Sequence, residues 1–304
     1  MNLKTILKTS KPTIFRVGET LYSASPVPTI MGIVNVTPDS FFDGGKYNTT
    51  DAAFEKALKH LEDGASIIDI GGESSRPGSS PVSVEEELRR VLPLIKRLAP
   101  LKQNLHFSIS IDSVKSQVAY EAVQAGADII NDISSLSMDQ AMPQVILETK
   151  ASCILNHMRG NFGSMQQDFK PYQNVVQEVQ NELLSSAQKL IDLGISREKI
   201  CLDPGIGFGK SLQDNLELIS SAADFSNLDF PILFGLSRKS YIGKIHAIKQ
   251  PFFCKFHLKQ DDLLTPVNNV YHFAIDRFVR ATALRRDEAS FQRSEKLRRL
   301  VFVS

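Results

Sequence analysis

The sequence predicts an α/β fold, a closed (β/α)8 TIM barrel with an N-terminal hairpin-like extension. Three observations carry that expectation. Short apolar runs, about eight of them and each too short for a helix, recur along the chain. Each run is followed by a loop rich in Gly, Asp, Ser or Pro and then by a segment of helical period, the pattern of βα units on a parallel sheet buried on both faces. No G-x-G-x-x-G follows the first run and no linker or low-complexity tract divides the 304 residues, which favours one closed barrel over an open dinucleotide-binding sheet.

Taken in order, residues 1–29 are a polar, turn-rich extension. Within it, 13–17 and 20–23 alternate in polarity around Gly18-Glu19, a hairpin expected to cover one end of the barrel. Strands are expected at 30–36, 66–70, 107–111, 128–131, 152–155, 200–202, 231–236 and 277–283. The first helix begins near Ala52, with Asp51 as its N-cap and Gly64 as its stop, and its apolar residues recur at three and four. Further helices are expected over 84–98, 116–125, 139–148, 173–193, 212–223, 262–275 and 286–300.

Composition excludes several classes. Lys+Arg number 35 against Asp+Glu 34, so no charge excess builds a surface for nucleic acid or an anionic membrane, and an anionic ligand must be met locally. Cys153, Cys201 and Cys254 are odd in number and widely spaced, and the first two sit in apolar runs. They read as reduced, buried thiols rather than as a disulfide or metal site. Residues 1–28 lack the apolar block of a signal peptide or spanning helix, so a cytoplasmic protein is expected. Without H-x-x-H, paired cysteines or G-x-S-x-G, a zinc or serine hydrolase has no support.

On a barrel, the strand ends that precede the helices share one face, and chemistry collects there. Those ends carry Asn35 with Asp39, Asp69 with Glu73-Ser74-Ser75-Arg76, Asp112, Asn131-Asp132, Asn156-His157, Asp203, and Ser237-Arg238-Lys239. The most telling stretch is 201–210. There Asp203 ends a strand, Pro204 follows, and Gly205, Gly207 and Gly209 permit positive φ and a close approach to a ligand, while Ser211 caps the next helix. Any one Asp in such a loop is explained by capping; Asp112, Asn131 and Asp203 together suit a flat heterocycle edged with N–H donors and ring-nitrogen acceptors. Ser237-Arg238-Lys239-Ser240 and Arg76-Pro77-Gly78-Ser79 place cations and hydroxyls where an electron-rich or anionic ligand would lie, although either alone also fits a solvated basic turn. Phe41 and Phe42, in an otherwise polar loop, suit a mobile lid or packing on the rim. His157 fits a structural role better than that of a base or ligand.

Seven motifs then stand in order over residues 29–245: 31–41 (MGIVNVTPDSF), 69–78 (DIGGESSRPG), 111–113 (IDS), 130–133 (INDI), 157–160 (HMRG), 203–210 (DPGIGFGK) and 237–240 (SRKS). Together they resemble the dihydropteroate synthase family, folate-pathway transferases that join a pterin diphosphate to para-aminobenzoate. The resemblance implies pterin binding by Asp112, Asn131, Asp203, Phe208 and Lys239, with Asp112, Asp203 and Lys239 as the catalytic set. It implies a para-aminobenzoate site at Phe41, Ser75, Arg76, Pro77 and Ser237. It further implies diphosphate binding by Asn35, Ser75 and Arg280, with Asn35 also helping to hold a Mg2+ cofactor. Small-molecule substrates, a homodimer, sulfonamide targeting and no nucleic-acid or membrane partner follow from the same likeness.

The reaction it implies is displacement at the pterin's exocyclic methylene, with diphosphate leaving and the arylamine attacking. Asp203 would stabilise developing positive charge while magnesium offsets charge on the leaving group.

Residues 246–304 depart from the family. Its eighth strand ends in an Arg-x-His pair that binds diphosphate; aligning 278–283 with that strand keeps Arg280 but puts Thr282 in place of the His. Losing one such ligand costs about 1.5–3 kcal/mol of charge-assisted hydrogen bonding. Two other readings therefore stay open. One is a non-catalytic or altered-activity pterin-binding paralogue with an incomplete diphosphate site. The other is a methyltetrahydrofolate methyltransferase-like protein, which has no reason to keep Arg76-Pro77 and Ser237-Arg238-Lys239.

Overall fold

The computed structural model describes residues 13–23, 29–37, 49–74, 81–160, 171–235 and 300–303. Strands β1 (Ile14–Val17) and β2 (Thr20–Ser23) pair antiparallel across Gly18, whose φ of 56° makes the turn possible. The chain then alternates: β3 (Ile30–Asn35), α1 (Thr49–Glu62), β4 (Ile67–Gly71), α2 (Val84–Leu98), the short α3 (Lys102–Leu105), β5 (Ser108–Asp112), α4 (Ser116–Gln124), β6 (Ile129–Asp132), α5 (Met142–Thr149), β7 (Ser152–Asn156), α6 (Val175–Asp192), β8 (Ile200–Asp203), α7 (Leu212–Ser220), α8 (Ala222–Phe225), β9 (Ile232–Gly235) and β10 (Leu300–Val303). Eight parallel strands close a barrel in the order β10-β3-β4-β5-β6-β7-β8-β9. The expected (β/α)8 architecture and its hairpin are both present.

Strand alternation separates two cores. Outward residues such as Ile68, Ile70, Ile109, Ile111 and Leu155 pack with the helices, including Val91, Leu94, Ile95 and Leu98 of α2, whose spacing of three and four makes one apolar stripe. Inward residues Met31, Ile67, Ile129, Ile154, Cys201 and Leu233 join Phe15 and Val17 of the hairpin in a second cluster. The hairpin thus seals the N-terminal end. Tyr22 donates its hydroxyl to Ser66 O at 3.0 Å and accepts from Ser108 Oγ at 2.8 Å, and Ser152 Oγ donates to Arg16 O at 2.5 Å. Cys153 and Cys201 are free and buried within β7 and β8, and burial pushes both thiols up in pKa.

Several boundaries differ from expectation. The polar residue after each of four apolar runs, Asp112, Asp132, Asn156 and Asp203, belongs to the strand, because the backbone ladder continues one residue past the apolar stretch. Helix α1 begins at Thr49, so Asp51 lies in its first turn instead of capping it, paired with Arg97 at 2.5 Å. Helix α5 starts at Met142, and Asp139 instead accepts hydrogen bonds from the Ser116 and Ala141 amides. The expected helix 212–223 divides into α7 and α8.

The largest correction concerns closure. The strand between β9 and β3 is Leu300–Val303, not 277–283. A strand with barrel neighbours on both sides is a poor place for two guanidiniums such as Arg277 and Arg280, whereas Leu-Val-Phe-Val is apolar throughout. Residues 277–283 and the helix expected at 262–275 lie outside the described residues, as does the one expected at 286–300 apart from Leu300, which begins β10.

Candidate active site

Parallel register lines up one polar layer at the C-terminal ends of the strands. Asn35 stands opposite Gly71, Gly71 opposite Asp112, and Asp112 opposite Asn131; across the barrel Asn156 stands opposite Asp203. Glycines make room for the convergence. A Cβ on Gly71 would lie 3.2 Å from Asn35 Oδ1 and 3.4 Å from Asp112 Oδ2, and one on Gly235 would lie 3.7 Å from Asp203 Oδ2. Asn131, Asn156 and Asp203 are buried, whereas Asp112 and Asn35 are partly open to solvent.

Below this layer, the buried Asp69 sets what Asn131 presents. Asn131 Nδ2 donates to Asp69 Oδ2 at 3.2 Å, which turns Asn131 Oδ1 the other way. That oxygen, like Asn156 Oδ1, finds no hydrogen-bond partner among the described residues. Leaving a buried acceptor without a donor costs about 1–3 kcal/mol. An N–H on a bound heterocycle would recover it. Burial pushes the Asp69 carboxyl from its ordinary 3.8 up to about 6, with Ser110 and the Asn131 amide pulling the other way.

The turn after β8 is built by its glycines. Gly205, Gly207 and Gly209 have φ of 68°, 84° and 62°, and Asp203 Oδ1 accepts from the Gly205 amide at 2.7 Å. The sequence suggests that these glycines admit a ligand; two of them instead admit neighbouring backbone. A Cβ on Gly205 would fall 1.8 Å from His157 O, and one on Gly209 2.1 Å from Arg159 O. Ser211 caps α7 in a reciprocal capping box with Asp214, as its position after the turn predicts. Phe208 is partly exposed on the turn, and Lys210 is buried beneath it.

The structure therefore brings Asn35, Asp112, Asn131 and Asp203 to one end of the barrel, with Phe208 on the turn that follows Asp203. Phe41, Ser75, Arg76, Pro77, Ser237, Lys239, Arg280 and Thr282 lie outside the described residues. Three residues gain specific roles: Asp69 and Asn156, which the sequence places only among the polar strand ends, and Lys210, which it places only within the 203–210 motif. Inward parity within β4 and β7 was the available signal for the first two, since Asp69 sits two residues before Gly71 on the same face and Asn156 two after Ile154. His157, read as structural, is 2 % exposed and bonded to Glu182 and Lys210.

Fold and layer define a class: a (β/α)8 barrel with a small-molecule site at the C-terminal ends of its strands. Residues 31–263 match the family described as pterin binding enzyme, and the chain belongs to that family. It is similar to the dihydropteroate synthase of Synechocystis sp., 42% identical over 229 residues that span 75% of this chain and 78% of that protein. To the dihydropteroate synthase of Escherichia coli it is 45% identical over 218 residues, 72% of this chain and 76% of the other. Among solved structures it resembles Xanthomonas albilineans dihydropteroate synthase with 4-aminobenzoic acid, at TM-score 0.72 and 33% identity over 96% of this chain and 92% of that one. The same organism's enzyme in complex with 7,8-dihydropteroate gives TM-score 0.70 and 31% identity, covering 95% and 92%.

Proposed function

We propose that the chain is a dihydropteroate synthase, a transferase that condenses 6-hydroxymethyl-7,8-dihydropterin diphosphate with para-aminobenzoate to give 7,8-dihydropteroate and diphosphate. The observation that carries this reading is the polar layer itself, with Asn131 Oδ1 held as an acceptor by Asp69 and the carboxylates of Asp112 and Asp203 at the same end. Those three oxygen sources suit the N–H groups on the edge of a pterin. Asp203, nearly enclosed at 4 % exposure, accepts hydrogen bonds from the ring and stabilises positive charge as the methylene–oxygen bond breaks. An arylamine is already a nucleophile, so its attack needs no strong base. Phe208 covers the pterin from the glycine-rich turn, and Lys239 completes the catalytic set with Asp112 and Asp203. Phe41, Ser75, Arg76, Pro77 and Ser237 are assigned to para-aminobenzoate, and Ser75 and Asn35 to diphosphate.

The donor chemistry fits Mg2+. Asn35 Oδ1 and Asp112 Oδ2 both lie beside Gly71, hard oxygens of the kind magnesium takes one or two of while keeping phosphate oxygens and water for the rest. Asn35 would hold the ion, which when bound offsets charge on the departing diphosphate. The proposal includes a homodimer in the cytoplasm, the compartment where thiols such as Cys153 and Cys201 stay reduced.

One observation favours a second reading, a pterin-binding paralogue with weakened or altered catalysis. The sequence of strand β10, Leu-Val-Phe-Val, holds no polar residue. Diphosphate release from the pterin diphosphate, para-aminobenzoate and magnesium separates the two. Product formation supports the synthase; no product at high enzyme, with pterin still bound in calorimetry, supports the paralogue. The placement of the site has its own check. Asp203→Asn keeps the acceptor for the Gly205 amide but loses the charge, and should weaken pterin binding roughly 10- to 100-fold with a smaller effect on stability. Normal pterin binding by Asp203→Asn would move the site elsewhere.

A further inference from the structure

Lys210 ends the glycine-rich stretch and is only 4 % exposed. Its Nζ donates to Gly205 O at 2.9 Å, Phe208 O at 3.0 Å, His157 O at 3.1 Å and His157 Nδ1 at 2.9 Å. Two of these acceptors belong to the turn after β8 and two to the end of β7, so one ammonium ties together the ends of adjacent strands. Those ends carry Asp203 and Asn156, which face each other in the register. Burying an ammonium is costly unless every N–H is used. Among the described residues, its three N–H groups reach these four acceptors.

The imidazole end of this clamp is also fixed. Because Nδ1 of His157 accepts from Lys210, its proton sits on Nε2, which donates to Glu182 Oε2 at 2.9 Å. Burial, reinforced by the Lys210 charge, holds His157 at a pKa of about 4, so the ring stays neutral and keeps that lone pair available. Arg159 binds the same Glu182 together with Glu178 and lies 3.9 Å over the ring of Tyr172, which anchors the assembly to α6 and the segment before it.

We propose that Lys210, acting with His157, is a positioning residue for the pterin: it sets the carbonyls of Gly205 and Phe208, and through them the Asp203 carboxylate and the Phe208 ring. This rests on the synthase reading and extends it to groups that do not touch the substrate. A clamp that acts on one wall of the site changes the affinity for one substrate; a clamp that only holds the fold together changes both or neither.

The test is calorimetric titration of the full chain with 6-hydroxymethyl-7,8-dihydropterin, together with KM for each substrate. Lys210→Met keeps the stem and removes the donors. It should weaken pterin binding by roughly thirtyfold, the scale expected when a contact is displaced by a fraction of an ångström to one ångström, while KM for para-aminobenzoate stays within twofold. A folded Lys210→Met that binds pterin as the natural protein does, or raises both KM values equally, would overturn the inference. If Lys210→Met does not fold, Glu182→Ala decides, since Glu182 is half-exposed at the outer end of the chain of contacts. It should lose about threefold in pterin affinity alone, and unchanged affinity would overturn the proposal. Absence of pterin binding in the natural protein would overturn the synthase reading and this inference with it; binding by the natural protein and both variants alike would overturn only this inference.

Discussion

Asp69 shows how much a single buried carboxylate can decide. It belongs to a strand-end motif, but its role comes from facing Asn131, 62 positions away, across the barrel interior. The amide of Asn131 is symmetrical enough to point either way, and Asp69 makes it donate downward and accept upward. The same burial has a measurable signature. The folded protein takes up a proton on Asp69 near pH 6, whereas the unfolded chain does so only near 3.8, so lowering the pH between these values favours the folded state. The stability of the natural protein relative to Asp69→Asn should rise as pH falls from about 7 to about 4, by up to about 3 kcal/mol. Denaturant melts of the two proteins across that range would measure it, and a flat difference would mean Asp69 is not so perturbed. Asn35, Asp112, Asn131 and Asp203 were legible in the sequence as polar residues closing apolar runs. Lys210 and the orientation of Asn131 were not, because each is defined by partners that local pattern does not name.

Elements were legible where periodicity is strong. Helix α2 occupies 84–98 as its spacing predicts, with Ser83 capping it through the Glu86 amide at 3.2 Å. How α2 is tied to its neighbours is a different matter. Glu87, on its buried face, pairs with Lys115 at the start of α4 at 2.5 Å, and Lys115 also binds Glu73 after β4. Glu73 in turn accepts from the Val82 amide at 3.0 Å. One lysine therefore links α2, α4 and the chain on both sides of residues 75–80. Removing it strands the fully buried Glu87, so Lys115→Met should destabilise the protein by about 3–5 kcal/mol in urea unfolding. A loss below about 1 kcal/mol, the range of exposed pairs, would show that Glu87 is less enclosed than its surroundings indicate.

At the scale of the molecule, the barrel depends on four residues near the end of the chain. Strand β10 meets Ile232 to Gly235 on one side and Ile30 and Met31 on the other. Deleting 300–304 would bare the edges of β9 and β3, rows of backbone donors and acceptors prepared to pair with another chain. The expected outcome is a lower melting temperature and new self-association, read by thermal melting and sedimentation; an unchanged melt and size would mean that closure does not need β10. Local pattern does not identify 300–303 as a strand, because an apolar run at the end of a helical pattern looks the same in either state until neighbours are known.

The order of residues alone settles the alternation of strand and helix, the inward and outward faces, and the polar strand ends, since each is written within a few residues by the direction in which side chains leave the backbone. Folding settles which strand closes the barrel, which way Asn131 faces and what Lys210 holds. Those outcomes turn on buried hydrogen bonds and charges whose worth exists only once distant segments meet and water is excluded from between them.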